Sequence, residues 1–136
     1  MKFPSAEWAS AFRDAINANA EYRDAAAAWE GDILFRVRLP DAQAPAPGIH
    51  LDLAGGACRA ATFHADAREV SSEFVYEGSP ENWQRLLRGE LDPVQAILSG
   101  TFRFRGNPLK ASRFTRAAKA LVETAASIPG DVGPVD

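Results

Sequence analysis

The sequence predicts an α+β domain in which a five-stranded antiparallel sheet carries helices on one of its faces. Three observations point there. The spacing of apolar residues changes from helical to period two and back along the chain. Turn-forming Gly and Pro residues separate the periodic runs and keep connections short, which favours antiparallel neighbours. With 136 residues, 46% of them hydrophobic and 24% charged, the chain fits one core and not two.

Ser5 is a good N-cap, and Trp8, Phe12, Ala15, Ile16 and Asn19 follow at helical spacing, so a helix is expected over about 5–19. An Ala-rich helical segment follows from Ala20 to Trp29. From Ile33 to Leu39 the odd positions are apolar while Arg36 and Arg38 face the other way, the mark of a half-buried strand. A proline-rich loop over 40–47 precedes a second strand, in which Ile49, Leu51 and Leu53 alternate with His50 and Asp52. Gly55-Gly56 reads as a hairpin turn that sets Asp52 across from Arg59. A third strand runs from Ala57 to His64 with no clear inward face. Val70, Ser72, Phe74 and Tyr76 are expected on one face of a fourth. Ser79-Pro80-Glu81 and Asp92-Pro93 start two short helices that close at Gly89 and Gly100. Phe102 and Phe104 alternate with Arg103 and Arg105 in a fifth strand. Asn107-Pro108 opens one last helix, with Leu109, Phe114, Ala117, Ala118, Leu121 and Ala125 on its apolar side. The domain is expected over 1–128, and the Gly- and Pro-rich tail over 129–136 to be flexible.

Composition narrows the function. A net charge of −3 speaks against nucleic acid as a partner, because phosphate binding needs an excess of Lys and Arg. Cys58 is the single cysteine, so no internal disulfide can form. Neither a signal peptide nor a membrane span is legible, and a cytoplasmic protein is expected. His50, His64, Cys58 and Asp52 are the residues that could invite catalysis or metal binding. They lack HxH, HExxH or CxxC spacing, and the histidines fall on different strands, so no cofactor, metal or catalytic residue is expected.

From Gly78 the chain reads GSPENWQRLLRGELDPVQAILSGTFRFRGNPLKA. This ordered set resembles the signature region of the sterol carrier protein type-2 family: a capped helix start, a leucine-rich turn ending in Gly, Leu-Asp-Pro, Ser-Gly, an alternating strand and Gly-Asn. Trp29-Glu30-Gly31 and Leu51-Asp52-Leu53 before Gly55-Gly56 fit as well, and the resemblance runs from about Glu7 to Ile128. The proline-rich loop and the absence of a peroxisomal C-terminal signal depart from the family pattern. The second departure suggests a stand-alone, prokaryotic-type member.

The resemblance implies a non-catalytic carrier with an apolar tunnel between sheet and helices for a sterol, fatty acid or fatty acyl-CoA. On pattern alone the apolar stripes are plain core. With the resemblance, tunnel candidates are Phe35, Val37, Leu51, Phe74, Tyr76, Phe102 and Phe104 on strands, and Trp83, Leu86, Leu87, Phe114, Ala118 and Leu121 on helices. The Tyr76 hydroxyl more often finds solvent or a backbone carbonyl than a ligand. Lys110, Arg113, Arg116 and Lys119 recur every three residues. They form either a solvated face or a patch for transient contact with anionic lipid head groups. The competing function is an accessory subunit or small enzyme handling acyl-CoA or aromatic acids in the same cavity. That reading requires titratable residues to converge inside it.

Overall fold

The computed structural model describes residues 1–132. Two N-terminal helices, α1 (Ala6–Ala18) and α2 (Ala20–Ala25), precede β1 (Glu30–Val37), β2 (Gly48–Ala54), β3 (Ala57–His64) and β4 (Phe74–Gly78). Helices α3 (Pro80–Leu87) and α4 (Pro93–Leu98) lead to β5 (Arg103–Arg105), then α5 (Pro108–Ser112) and α6 (Thr115–Ala126). The caps are those the sequence calls for. Ser5 accepts from Trp8 N–H, Ser79 from Asn82 N–H, Asp92 from Val94 and Gln95, and Asn107 from Leu109 and Lys110.

The sheet order is β3-β2-β1-β4-β5, and it corrects the expectation of a purely antiparallel sheet. β1 pairs antiparallel with β2 but parallel with β4, from Ile33 opposite Phe74 to Val37 opposite Gly78. The cause is the segment 65–73, which is no hairpin. It leaves β3 at one edge and crosses the back of the sheet, so that β4 adds on the far side of β1. Three strand spacings are about 14 Å, and nine extended residues reach about 30 Å, so the span is easily made. Ala67 and Val70 pack on Leu34 and Val75 along that crossing. Val70 therefore covers the back face and is not on the strand face shared by Phe74 and Tyr76. The fourth strand starts at Phe74.

The Gly55-Gly56 turn is a two-residue hairpin, with φ of +61° and +82°. The pairing slips by one residue between Asp52 and Leu53, which makes Arg59 a bulge. Its guanidinium still reaches Asp52 at 2.9 Å.

The expected single last helix is two. Phe114 leaves helical geometry at φ −125°, ψ 31°, and its ring packs edge-on against Trp29, 5.0 Å between centroids. That anchor ends α5 and restarts the chain as α6. Lys110 and Arg113 consequently belong to α5 and its cap, and Arg116 and Lys119 to α6.

The core lies between the sheet and the helices. Phe3, Trp8, Phe12, Phe35, Tyr76, Trp83 and Phe102 form a continuous aromatic chain, with centroids 4.6 to 6.1 Å apart. Trp83 donates its indole N–H to the Arg36 carbonyl at 3.0 Å, which ties α3 to β1. Gly78 allows Phe102 to lie flat on β4, since a Cβ there would sit 2.5 Å from its ring. Asn17 exchanges two hydrogen bonds with the Cys58 backbone, at 2.8 and 2.9 Å, fixing α1 to β3. Asp131 bridges Lys2, and Val132 N–H donates to Gln84, while 133–136 of the expected tail lie outside the described residues.

On the back face, Arg36 and Glu77 pair at 2.6 Å, with side chains 13% and 9% exposed. Breaking such a pair strands a charge. Glu77→Ala is expected to cost about 3 kcal/mol, the low end of the range for buried pairs. The melting temperature, followed by circular dichroism, should fall on the order of 10 °C. An unchanged melting temperature would mean that the pair contributes nothing net.

Candidate apolar ligand site

Two small apolar pockets lie side by side between the sheet and the C-terminal helices. One, of about 60 Å³, is lined by Tyr22, Trp29, Leu53 and Phe74 and closed by Ala111, Phe114 and Ala117. The other, of about 70 Å³, is lined by Phe35 and Tyr76 and closed by Pro93, Val94, Ile97 and Val122. Ile33, Phe104, Ala118 and Leu121 line both. The two spaces are thus parted by a few side chains and not by backbone.

Period two brings Ile33, Phe35, Leu53, Phe74, Tyr76 and Phe104 to the helical face of the sheet. Helical spacing sets Ala117, Ala118 and Leu121 opposite them. Ala118 is not buried as its stripe suggested. Ala117, Ala120 and Leu121 take the buried positions, and Ala118 sits exposed at the lip common to both pockets.

Of the tunnel candidates, Phe35, Phe74, Tyr76, Phe104, Phe114, Ala118 and Leu121 meet at these pockets. Val37, Leu51, Trp83, Leu86 and Phe102 lie in the close-packed interior, and Leu87 is partly buried against it. Sequence reasoning passed over Tyr22, Trp29, Ile33, Leu53, Val94 and Ile97. Ile33 and Leu53 share the phase of Phe35 and Leu51, so the strand pattern could have supplied them. Tyr22 and Trp29 lie in an Ala-rich stretch whose phase is not fixed by its own residues.

The polar groups nearby are already engaged. Tyr76 donates its hydroxyl to the Pro93 carbonyl at 3.0 Å, and burial pushes its phenol well above the usual range. Burial likewise raises Tyr22. Lys110 lies over Trp29, 4.9 Å from the ring centre, and bonds the Glu30 carbonyl at 2.6 Å and Glu73 at 2.7 Å. Arg116 pairs with Asp24 at 3.0 Å and Lys119 approaches Asp92 at 3.9 Å, while Arg113 has no ion-pair partner among the described residues.

The back face holds larger, open crevices of about 550 and 780 Å³. They are lined by charge: Arg36, Arg38, Arg68 and Glu77 in one, and Asp32, His50, Glu73 and Lys110 in the other. His50 Nε2 lies 2.7 Å from Asp32. Burial raises the Asp32 carboxyl, but hydrogen bonds from His50 and the Glu73 N–H outweigh it and leave the group below its ordinary value. Among the described residues, no group of three or more His, Cys, Asp and Glu is placed to hold a metal ion.

A model of the SCP-2 sterol transfer family matches residues 12–119. The chain belongs to this family. SCP-2 domains bind and transfer lipids in general, and all lining residues of the two pockets except Leu121 and Val122 fall within the matched residues. The crystal structure of a sterol carrier protein 2 is 32% identical, with a TM-score of 0.85 over 94% of this chain and 100% of the other. The solution structure of TT1886, a possible sterol carrier protein from Thermus thermophilus, is 33% identical, with a TM-score of 0.82 over 98% of this chain and 93% of the other. A UbiJ-SCP2 ubiquinone synthesis protein, 16% identical with a TM-score of 0.53, covers 95% of this chain and 98% of its own, and shares the fold. No curated protein matches this sequence. No helix among the described residues is long and apolar enough to cross a membrane.

Cys58 provides a check on the nucleophile chemistry of this SCP-2 domain. Burial pushes its thiol up to about 11, so the thiolate is scarce at neutral pH. Alkylation by iodoacetamide at pH 8 should run about a hundredfold slower in the folded protein than in urea, and rise about tenfold per pH unit. Intact-mass measurement over time reads both. Equal rates in the two states would show that the thiol is not shielded.

Proposed function

We propose that this domain, over residues 1–128, binds and carries an apolar lipid of sterol, fatty acid or fatty acyl-CoA type, without chemistry of its own. A cytoplasmic setting accords with that role. The observation that carries the reading is the pair of apolar pockets sharing Ile33, Phe104, Ala118 and Leu121 as a common wall. Ligand cavities usually measure roughly 300 Å³ or more. At about 60 and 70 Å³ these pockets must merge to admit a chain, and rotation of Phe104 and Leu121 is the shortest route.

The energetics favour such an opening. Each methylene taken from water into an apolar site gains about 0.8 kcal/mol, so several methylenes offset the packing lost when two side chains turn. The lining supplies burial and little else. The phenol of Tyr76 is occupied by a backbone carbonyl, and the titratable groups of the back face lie across the sheet. The lining thus gives the enzyme reading no converging acid, base or nucleophile to use.

Ala118→Trp tests the site. An indole at the shared lip covers both pockets, while the exposed starting position leaves room for it in the fold. Two methylenes displaced from the site correspond to about tenfold or more in affinity. The variant should keep its melting temperature and lose displacement of a fluorescent fatty acid by at least that factor. A melting temperature lowered by many degrees with probe binding intact would place the binding site elsewhere. Organic extraction and mass spectrometry of the purified protein would name the lipid.

A further inference from the structure

The back face carries a concave site of its own. Its floor is the Arg36–Glu77 pair and its wall is the loop over 40–47; with Arg38 and Ser79 at the rim they bound the open crevice of about 550 Å³. That volume falls within the usual range for small-molecule sites, roughly 300–1,000 Å³. The sheet separates it from the two apolar pockets, because Arg36 and Glu77 point away from the face of Phe35 and Tyr76.

The wall is held from several sides. Asp41 accepts the Gln43 N–H at 2.9 Å, and the Ala44 N–H bonds the Asp41 carbonyl at 3.0 Å, which closes a turn. From the crossing segment, Asp66 accepts the Ala46 N–H at 3.2 Å and Arg68 donates to the Gln43 carbonyl at 3.3 Å. The Ala67 N–H donates to the Ala46 carbonyl at 2.6 Å. Pro45 and Pro47 fix φ between these ties. Leu39, Pro40, Ala42 and Ala44 therefore form an apolar side that needs no ordering when a ligand arrives.

The polar floor is only half used. Glu77 is 8% exposed; Arg36 Nε donates to its Oε2 at 2.6 Å, and its Oε1 accepts no hydrogen bond among the described residues. Arg36 Nη1 reaches the Ala67 carbonyl at 3.5 Å, and Nη2 has no partner among them. Arg38 is exposed, with neither an ion pair nor a side-chain hydrogen bond to a described residue. Arg68, by contrast, is engaged by Asp66 at 2.7 Å.

We infer that this crevice binds a small carboxylic acid with an apolar body and an O–H or N–H beside the carboxylate, as in an α-hydroxy or α-amino acid. Arg36 and Arg38 take the carboxylate, Glu77 accepts from the neighbouring donor, and the body lies on Leu39, Pro40 and Ala44. An inorganic anion fits less well, since Glu77 and Asp41 repel it and the apolar wall stays bare. Binding here is independent of lipid carriage on the other face.

The test is titration of the isotope-labelled whole protein with phenyllactate and with phenylalanine, followed by backbone amide shifts. Phenylpropionate, which lacks the donor, and phenylpropanol, which lacks the charge, are the controls. A ligand of about a dozen non-hydrogen atoms should bind with a Kd on the order of 1 mM. Shifts should gather at Leu39, Ala44, Ala46, Arg68 and Ser79 and saturate for at least one acid, which tells hydroxy from amino. Phenylpropionate should bind about tenfold more weakly and phenylpropanol not measurably, because hydrogen bonds to charged groups are lost. Arg38→Ala should weaken binding about tenfold, and Ala42→Trp, filling the crevice from its wall, should abolish it. Both side chains are exposed, so melting temperature and fatty-acid displacement should match the parent. No saturable shift with either acid, shifts confined to residues 104–121, or phenylpropionate binding as tightly as the better acid would overturn the proposal. So would Arg38→Ala and Ala42→Trp variants that bind like the parent. Saturable binding at the crevice of a protein that takes up no fatty acid would remove the carrier reading and leave this site standing.

Discussion

The parallel pairing of β1 with β4 is the constraint on which the rest of the molecule depends. It places β1 at the centre of the sheet and sends Phe35 toward the helices, where the ring meets Phe12, Tyr76 and Trp83 at once. It also obliges residues 65–73 to run across the back of the sheet, where Ala67 and Val70 cover Leu34 and Val75. One face is thereby closed by a loop and an ion pair, and the other is left for helices. Without the crossover, β4 would extend the opposite edge, and Tyr76 and Phe104 would not stand next to Ile33 and Phe35.

How far the sequence could be read follows from which forces are local. Caps, turns and alternation are local, and Ser5, Ser79, Asp92, Asn107 and the Gly55-Gly56 hairpin all form as their residues dictate. Strand partnership is not local. Val70 and Ser72 continue the alternation of Phe74 and Tyr76 and so look like the start of a hairpin-connected strand, until Ala67 and Val70 find Leu34 and Val75 on the back of the sheet. The break at Phe114 is tertiary too, since nothing in Arg113-Phe114-Thr115 forbids helix; the edge-on contact with Trp29 decides it.

The candidate site shows the same division. Periodicity finds residues that face inward, but inward positions next to α3 and the N-terminal aromatics are filled, and those next to α5 and α6 are not. Trp83 and Phe102 pack edge to face in solid core, whereas Phe104, two residues on, borders space. The difference lies in what stands opposite. Large rings from Phe3, Trp8 and Phe12 fill one half, while Ala111, Ala117 and Ala118 leave room in the other. Side-chain volume across the layer, which no single strand records, separates wall from core.

Helix α5 has none of its five residues buried. Besides Ala111, which packs partly buried against the core, its attachment is one lysine, whose ammonium is held by Glu73, by the Glu30 carbonyl and over the rings of Trp29 and Phe74. Segments with so little buried surface open independently of the global transition, and their amides exchange with solvent while the core stays closed. By that argument α5 should exchange ahead of the sheet, and it is seated beside the pocket that Ala111 helps to line. A segment bordering the pocket can therefore loosen while the sheet stays intact.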